Sequence, residues 1–193
     1  MARIKVEQYH RMLETGILQD RDPIELLNGL LICKDRSARG EGWMTVGKRH
    51  GVAVKLLVRL DALLAPRAFQ MQIQDPVTLP PEDEPEPDGA IVRGVPRDYL
   101  GRKPLATDVT CVIEVSDSSL EHDRTNKLAI YARAGIPQYV IVNLVDDQIE
   151  VFEVPLQGES RYVLAVTLRR GDILGLLLDA GARLDVPVGD LLP

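Results

Sequence analysis

The sequence predicts an α/β fold, a mixed central β-sheet flanked by helices. Three observations predict it. Residues 107–116 (TDVTCVIEVS) and 138–144 (QYVIVNL) are strongly apolar runs of strand length, and residues 119–134 between them carry apolar side chains at helical spacing. A strand, a helix and a strand in that order form a βαβ unit with a parallel pair. Further runs on either side, QIEVFEV (148–154) and SRYVLAVTL (160–168) among them, read as a meander and make the sheet mixed.

The elements follow in order. Residues 3–16 form a short first helix that stops at Gly16. IELLNGLLICK (24–34) is a hairpin, because Asn28-Gly29 between two apolar runs tolerates the positive φ of a tight turn. Residues 35–47 are a polar loop. A helix over 48–64 carries Val54, Leu57, Val58 and Leu64 on one stripe and ends at Pro66. Residues 68–80, around FQMQIQDPVTL, alternate apolar and polar as a half-buried strand does. The acidic, proline-rich PPEDEPEPDG is read as a rigid loop inside one domain spanning 1–193, rather than a linker between two. AIVRG (90–94) is a strand, and 95–108 a polar connection with one helical turn near Tyr99. In the helix over 119–134, Ser118 and Glu121 stand at capping-box spacing, and Gly135 and Pro137 supply the stop. Short strands near 173–178 and 182–186 complete the chain, and no internal repeat is visible.

The totals narrow the function. The chain has 193 residues, 45% hydrophobic and 27% charged, which describes a folded protein with a substantial core. Its net charge of −6 argues against binding nucleic acid through bulk positive charge, though a local basic groove remains compatible with it. Cys33 and Cys111 both fall in apolar runs and read as two buried free thiols; no CxxC or Cys/His cluster suggests zinc. The N-terminal stretch has no apolar signal region and nowhere do 18 apolar residues run together, so a cytoplasmic protein without membrane spans is expected.

The chemistry lies in two strands and a helix. Period two puts Thr110, Val112, Glu114 and Ser116 on one face of the 107–116 strand. In the next helix Leu120, Asp123, Lys127, Ile130 and Ala134 form one stripe, apolar at its ends, with an acid and a base in the middle. Asp123 and Lys127 are four apart and placed to interact. Laid against the sheet, this stripe brings Lys127 towards Glu114. Asp88, at the mouth of the 90–94 strand, shares a face with Ala90 and Val92, and converges on Glu114 if the two strands are neighbours. Two carboxylates with a backbone carbonyl suit Mg2+, which keeps several of its waters. The stripe's lysine would orient a water or stabilise developing negative charge.

IELLNGLLI, EPEPDGAIVRG and VIEVSDSSLEHDRTNKLAIYARAGIPQYVIVN together resemble the PD-(D/E)XK nuclease superfamily, and more closely its Uma-two family of restriction-endonuclease-like proteins. The likeness covers roughly residues 9–193. It implies a restriction-endonuclease-like core, Mg2+ (or Mn2+) as cofactor and DNA as substrate. Asp88 would match the aspartate of the PD element and Glu114 the acid of the (D/E)XK element. Two positions after that acid, where a lysine is usual, stands Ser116; the family resembled moves the lysine to the following helix, and Lys127 satisfies that. Glu25 matches an early acid that often completes such sites, giving Asp88, Glu114 and Glu25 as metal ligands. Asp123 matches a recurrent position, taken here to orient Lys127. His50, at the start of the second helix, reads as a surface residue rather than a ligand.

Three readings follow. The chain is a metal-dependent endodeoxyribonuclease, with a homodimer expected because a duplex has two strands to cut. Alternatively it is a non-catalytic relative that uses the fold to bind nucleic acid or protein. Or the buried polar trio is structural and only fixes register.

Overall fold

The computed structural model describes residues 3–19, 22–33, 47–179 and 181–193. Six strands form the central sheet: β3 (Phe69–Ile73), β4 (Gly89–Arg93), β5 (Val109–Ser116), β6 (Gln138–Asn143), β7 (Gln148–Leu156) and β8 (Arg161–Leu168), in that spatial order. The sheet is mixed, as expected: β5 and β6 are parallel and every other pair is antiparallel. Every residue of β5 and β6 is buried, because these central strands are covered on both faces.

One face is packed by α2 (Lys48–Val58), α3 (Asp61–Leu64) and the hairpin of β9 (Ile173–Asp179) with β10 (Ala182–Pro187). Leu57, Leu64, Ile91, Ile113, Val140 and Leu176 belong to that core. The opposite face is packed by α4, residues 120–134. This helix starts and ends as α-helix (Leu120–His122 and Leu128–Ala134) but widens into a π-helical turn at Asp123–Lys127. Val112, Ile130, Tyr131, Tyr139 and Ile141 form the core on this side. A smaller cluster joins α1 (Val6–Glu14) to the hairpin of β1 (Ile24–Leu27) and β2 (Leu30–Cys33).

Several expectations are corrected. The helix over 48–64 is two helices, and Asp61 turns its side chain to accept the Met71 amide at 2.9 Å, fastening the break to β3. The strand over 68–80 ends at Ile73, because Gln74 takes a positive φ of 49° and turns the chain out of the sheet. No capping box forms at Ser118 and Glu121: Ser119 occupies the cap position, and its hydroxyl goes to Asp123 instead. Cys111 is buried but Cys33 is exposed, since β1–β2 is a separate two-stranded sheet whose second strand largely faces solvent; neither forms a disulfide. Most of the expected 35–47 loop lies outside the described residues. Among the described residues no helix is long and apolar enough to cross a membrane.

The acidic proline-rich segment is densely bonded. The Glu84 amide donates to the Leu26 carbonyl at 2.7 Å and the Gly29 amide to Glu82 at 2.8 Å, which ties the β1–β2 hairpin to it. The side chain of Asp83 is buried and accepts from the Asn28 amide at 2.6 Å and from Arg133 of α4 at 2.8 Å. Glu84, also buried, accepts from Thr78, His10 and Lys103. These acids are satisfied by partners, which is the condition for burying them. The segment thus braces β1 against α4 and delivers Asp88 to the end of β4.

Candidate active site

The site is built at the carboxyl end of β5, where the sheet meets the middle of α4. Glu114 points to the α4 face. Its Oε1 accepts from Lys127 Nζ at 2.9 Å and from the Tyr131 hydroxyl at 2.8 Å, while its Oε2 accepts no hydrogen bond among the described residues. Lys127 Nζ also lies 3.5 Å from Glu25 Oε1, which β1 brings in from the hairpin. All three side chains are buried, with exposures of 9% or less.

The electrostatics follow from this crowding. Burial pushes the Glu114 carboxyl up to about 8, and the charges of Asp123, Asp88 and Glu25 push the same way, against the pull of Lys127. Burial alone would lower the Lys127 ammonium; the surrounding carboxylates, Glu114 first, outweigh it and hold the pKa above its ordinary value. Lys127 is therefore a fixed cation, a hydrogen-bond donor and not a base. Burial and the adjacent Glu114 also push the Tyr131 phenol well up, so its hydroxyl stays a donor to Glu114.

Asp123 and Lys127 flank the π-helical turn. A π turn carries one more residue than an α turn and often marks a functional site. Here it lets both side chains face the sheet, both buried. Asp123 does not bond to Lys127, contrary to the four-residue spacing. Its Oδ2 accepts from Ser116 Oγ at 2.6 Å and from Ser119 Oγ at 2.7 Å. The Asp123 carbonyl accepts the Leu128 amide and the Tyr139 hydroxyl, the latter at 3.1 Å. Ser116, standing where a lysine is usual, thus anchors the helix to the strand end.

Asp88 immediately precedes β4. The register that sets Gly89 opposite Ile113 places Asp88 at the level of Glu114. Ala90 and Val92 face α4, but Asp88 turns towards α2 instead: its Oδ2 accepts from His50 Nε2 at 3.1 Å and from the Val115 amide at 2.9 Å, and its Oδ1 from Gln74 at 3.1 Å. Burial would raise its carboxyl, yet these donors, His50 foremost, hold it below the ordinary value. His50 is not at the surface; it is 4% exposed.

The family model described as Uma2, "Putative restriction endonuclease", matches residues 6–187. The chain belongs to the Uma2 family. Its fold is shared with a solved structure from Anabaena variabilis ATCC 29413, described as "a putative nuclease belonging to DUF820". The TM-score is 0.67 with 14% identity, and the match covers 97% of each chain. No curated protein matches this sequence.

Among the residues picked from sequence, the Uma2 fold therefore brings Glu114, Lys127 and Glu25 into direct contact. Asp88 comes to the same strand end, and Asp123 is held on Ser116 and Ser119. Among the described residues, no three His, Cys, Asp or Glu side chains are grouped so as to cage a metal ion. Glu114 Oε2 and the remaining lone pair of Asp88 Oδ1 are hard oxygen donors at one strand end, with Glu114 turned towards α4 and Asp88 towards α2. Mg2+ is commonly held by one or two carboxylates while keeping its waters. Three site residues were missed in the sequence: Tyr131, His50 and Gln74. Tyr131 carried a signal, since Asp123, Lys127 and Tyr131 are each four apart. His50 and Gln74 reach Asp88 only through tertiary packing.

Proposed function

We propose that this Uma2 protein is a divalent-metal-dependent endonuclease that hydrolyses phosphodiester bonds of DNA, with residues 1–193 acting as one nuclease domain. The observation that carries the reading is the buried contact of Lys127 with Glu114 beside Asp88, at one end of the central strands. A lysine and a carboxylate buried together at a strand end, beside a second carboxylate, support a hydrolytic site. Family membership supports a nuclease.

Asp88 and Glu114 would hold Mg2+ or Mn2+, with Glu25 contributing through Lys127 rather than as a direct ligand. When bound, the cation would neutralise charge on a phosphoryl oxygen and acidify a water it holds. Lys127, fixed as a cation, would donate to the attacking water or to the oxygen where negative charge develops. Tyr131 would keep Glu114 Oε1 occupied, so that Oε2 faces the ion. Asp123 would position the π turn, and Lys127 with it, through Ser116 and Ser119.

The test is cleavage of supercoiled, linear and single-stranded DNA with Mg2+ or Mn2+. Metal-dependent cutting that is lost in Glu114→Ala and Lys127→Ala supports the reading; no cutting of any substrate at millimolar metal opposes it. A rival is a non-catalytic relative that binds nucleic acid or protein, and the net charge of −6 favours its protein-binding form. For that rival, calorimetry would show no Mn2+ uptake. The proposal extends to a cytoplasmic homodimer carrying one site to each strand of a duplex. Sedimentation as a monomer at assay concentration would remove that extension.

A further inference from the structure

Asp88 is caged more tightly than a metal ligand needs to be. A carboxylate oxygen offers about two lone pairs. Oδ2 of Asp88 spends both, one on His50 Nε2 at 3.1 Å and one on the Val115 amide at 2.9 Å. Oδ1 spends one, on Gln74 Nε2 at 3.1 Å. One lone pair on one oxygen is left.

His50 also carries a defect. Among the described residues its Nδ1 is buried with no hydrogen-bond partner. An orphaned buried polar atom costs about 1–3 kcal/mol, and native proteins keep few of them without a reason. The side chain is only 6% exposed, inside a helix face that otherwise contributes Ala53 and Leu57 to the core. A side chain needed only to fill that space would be apolar and would carry no orphaned nitrogen. What the imidazole supplies that an apolar group does not is the Nε2 donor on Asp88.

We propose that His50 is a positioning residue for Asp88: it closes Oδ2, so that the carboxylate presents Oδ1 alone to a divalent cation. The proposal rests on the metal-dependent reading above and adds a residue to it. Second-layer partners fix the orientation of metal ligands, and removing one typically weakens metal binding about 10–100-fold. Gln74 acts in the opposite sense, since it occupies the oxygen that the cation needs.

The test is calorimetric Mn2+ titration of the full chain, with urea denaturation of each metal-free variant to establish that it is folded. His50→Leu fills the space without a donor, and Mn2+ binding should weaken about 10–100-fold. His50→Gln keeps an N–H donor for Oδ2 while its carbonyl takes over the unpaired acceptor position, so it should bind Mn2+ close to the parent. Gln74→Met frees a lone pair on Oδ1 and should bind as well as the parent or better. Parent-like Mn2+ binding in His50→Leu overturns the assignment, and so does weak binding in a folded His50→Gln, or equal weakening in Gln74→Met. If His50→Leu does not fold, the other two variants decide. A folded parent that takes up no Mn2+ removes the metal reading itself and this proposal with it, a result distinct from a parent that binds and a variant that binds equally.

Discussion

Lys127 and Glu114 depend on each other at the scale of single residues. Breaking a buried ion pair from one side leaves the other charge unpaired and costs about 3–5 kcal/mol. Above about pH 8, where Glu114 is ionised, Lys127→Met should therefore destabilise the protein by about that amount in urea titration, because the Glu114 carboxylate stays buried without its cation. The double variant Glu114→Gln with Lys127→Met should recover most of the loss, yet remain inactive. Recovery of stability with activity retained would leave the pair a structural role only. The pH dependence has a defined sign. Folding raises the Glu114 pKa from 4.5 to about 8, so its protonated form is favoured in the native state. That contribution is complete below 4.5 and is lost as pH rises through about 8. Lys127 is also raised, so its contribution persists to higher pH and does not cancel the slope. Metal-free stability should fall as pH rises from about 4.5 to about 8, at the fixed ionic strength of a denaturation series, and Glu114→Gln should remove that Glu114-linked slope.

The π-helical turn decides the site at the scale of elements. It joins Leu120–His122 to Leu128–Ala134 while holding Asp123 on Ser116 and Lys127 on Glu114. Thr125 and Asn126, on its outer side, are exposed. Deleting Thr125 should restore α-helical winding and swing Asp123 away from the two serines. Far-UV circular dichroism should then show undiminished helix while DNA cleavage is lost. A deletion variant that cuts DNA at the parental rate would contradict the role given to the turn. This element also separates what could be read in advance from what could not. The inward stripe of Leu120, Asp123, Lys127 and Ile130 was legible from spacing alone, and Asp123, Lys127 and Ile130 are buried as that spacing implied. The partner of Asp123 was not legible. Four-residue spacing on an α-helix points at Lys127, and no glycine or proline in DRTNK marks the wider turn that sends Asp123 to Ser116 instead.

At the scale of the whole molecule, the mixed sheet and its parallel pair followed from the apolar runs, whose hydrophobic content is set locally. The β4–β5 pairing on which the convergence of Asp88 and Glu114 depends is present and sets the two residues level, but Asp88 turns towards α2 and not to the face of Ala90 and Val92. Its partners His50, Gln74 and Val115 come from three other elements, and no local pattern announces them. Cys33 stands in an apolar run yet is exposed, because a two-stranded hairpin has only one covered face. The brace through Asp83, Arg133 and Asn28 acts at the same scale, since it joins the acidic segment, α4 and the β1–β2 hairpin. Arg133→Ala should strand a buried Asp83 and loosen β1, lowering stability by about 1–3 kcal/mol in urea titration and weakening the Glu25–Lys127 approach. A change within measurement error would show that the hairpin is held by its backbone bonds alone. The central claim is that Asp88 and Glu114 share one divalent ion beside Lys127. A crystal soaked in Mn2+ and measured at the manganese absorption edge tests it most directly. The account predicts one anomalous peak within coordination distance of Asp88 Oδ1 and Glu114 Oε2, absent in Glu114→Ala; no peak there at millimolar Mn2+, or a peak that survives the substitution, would contradict it.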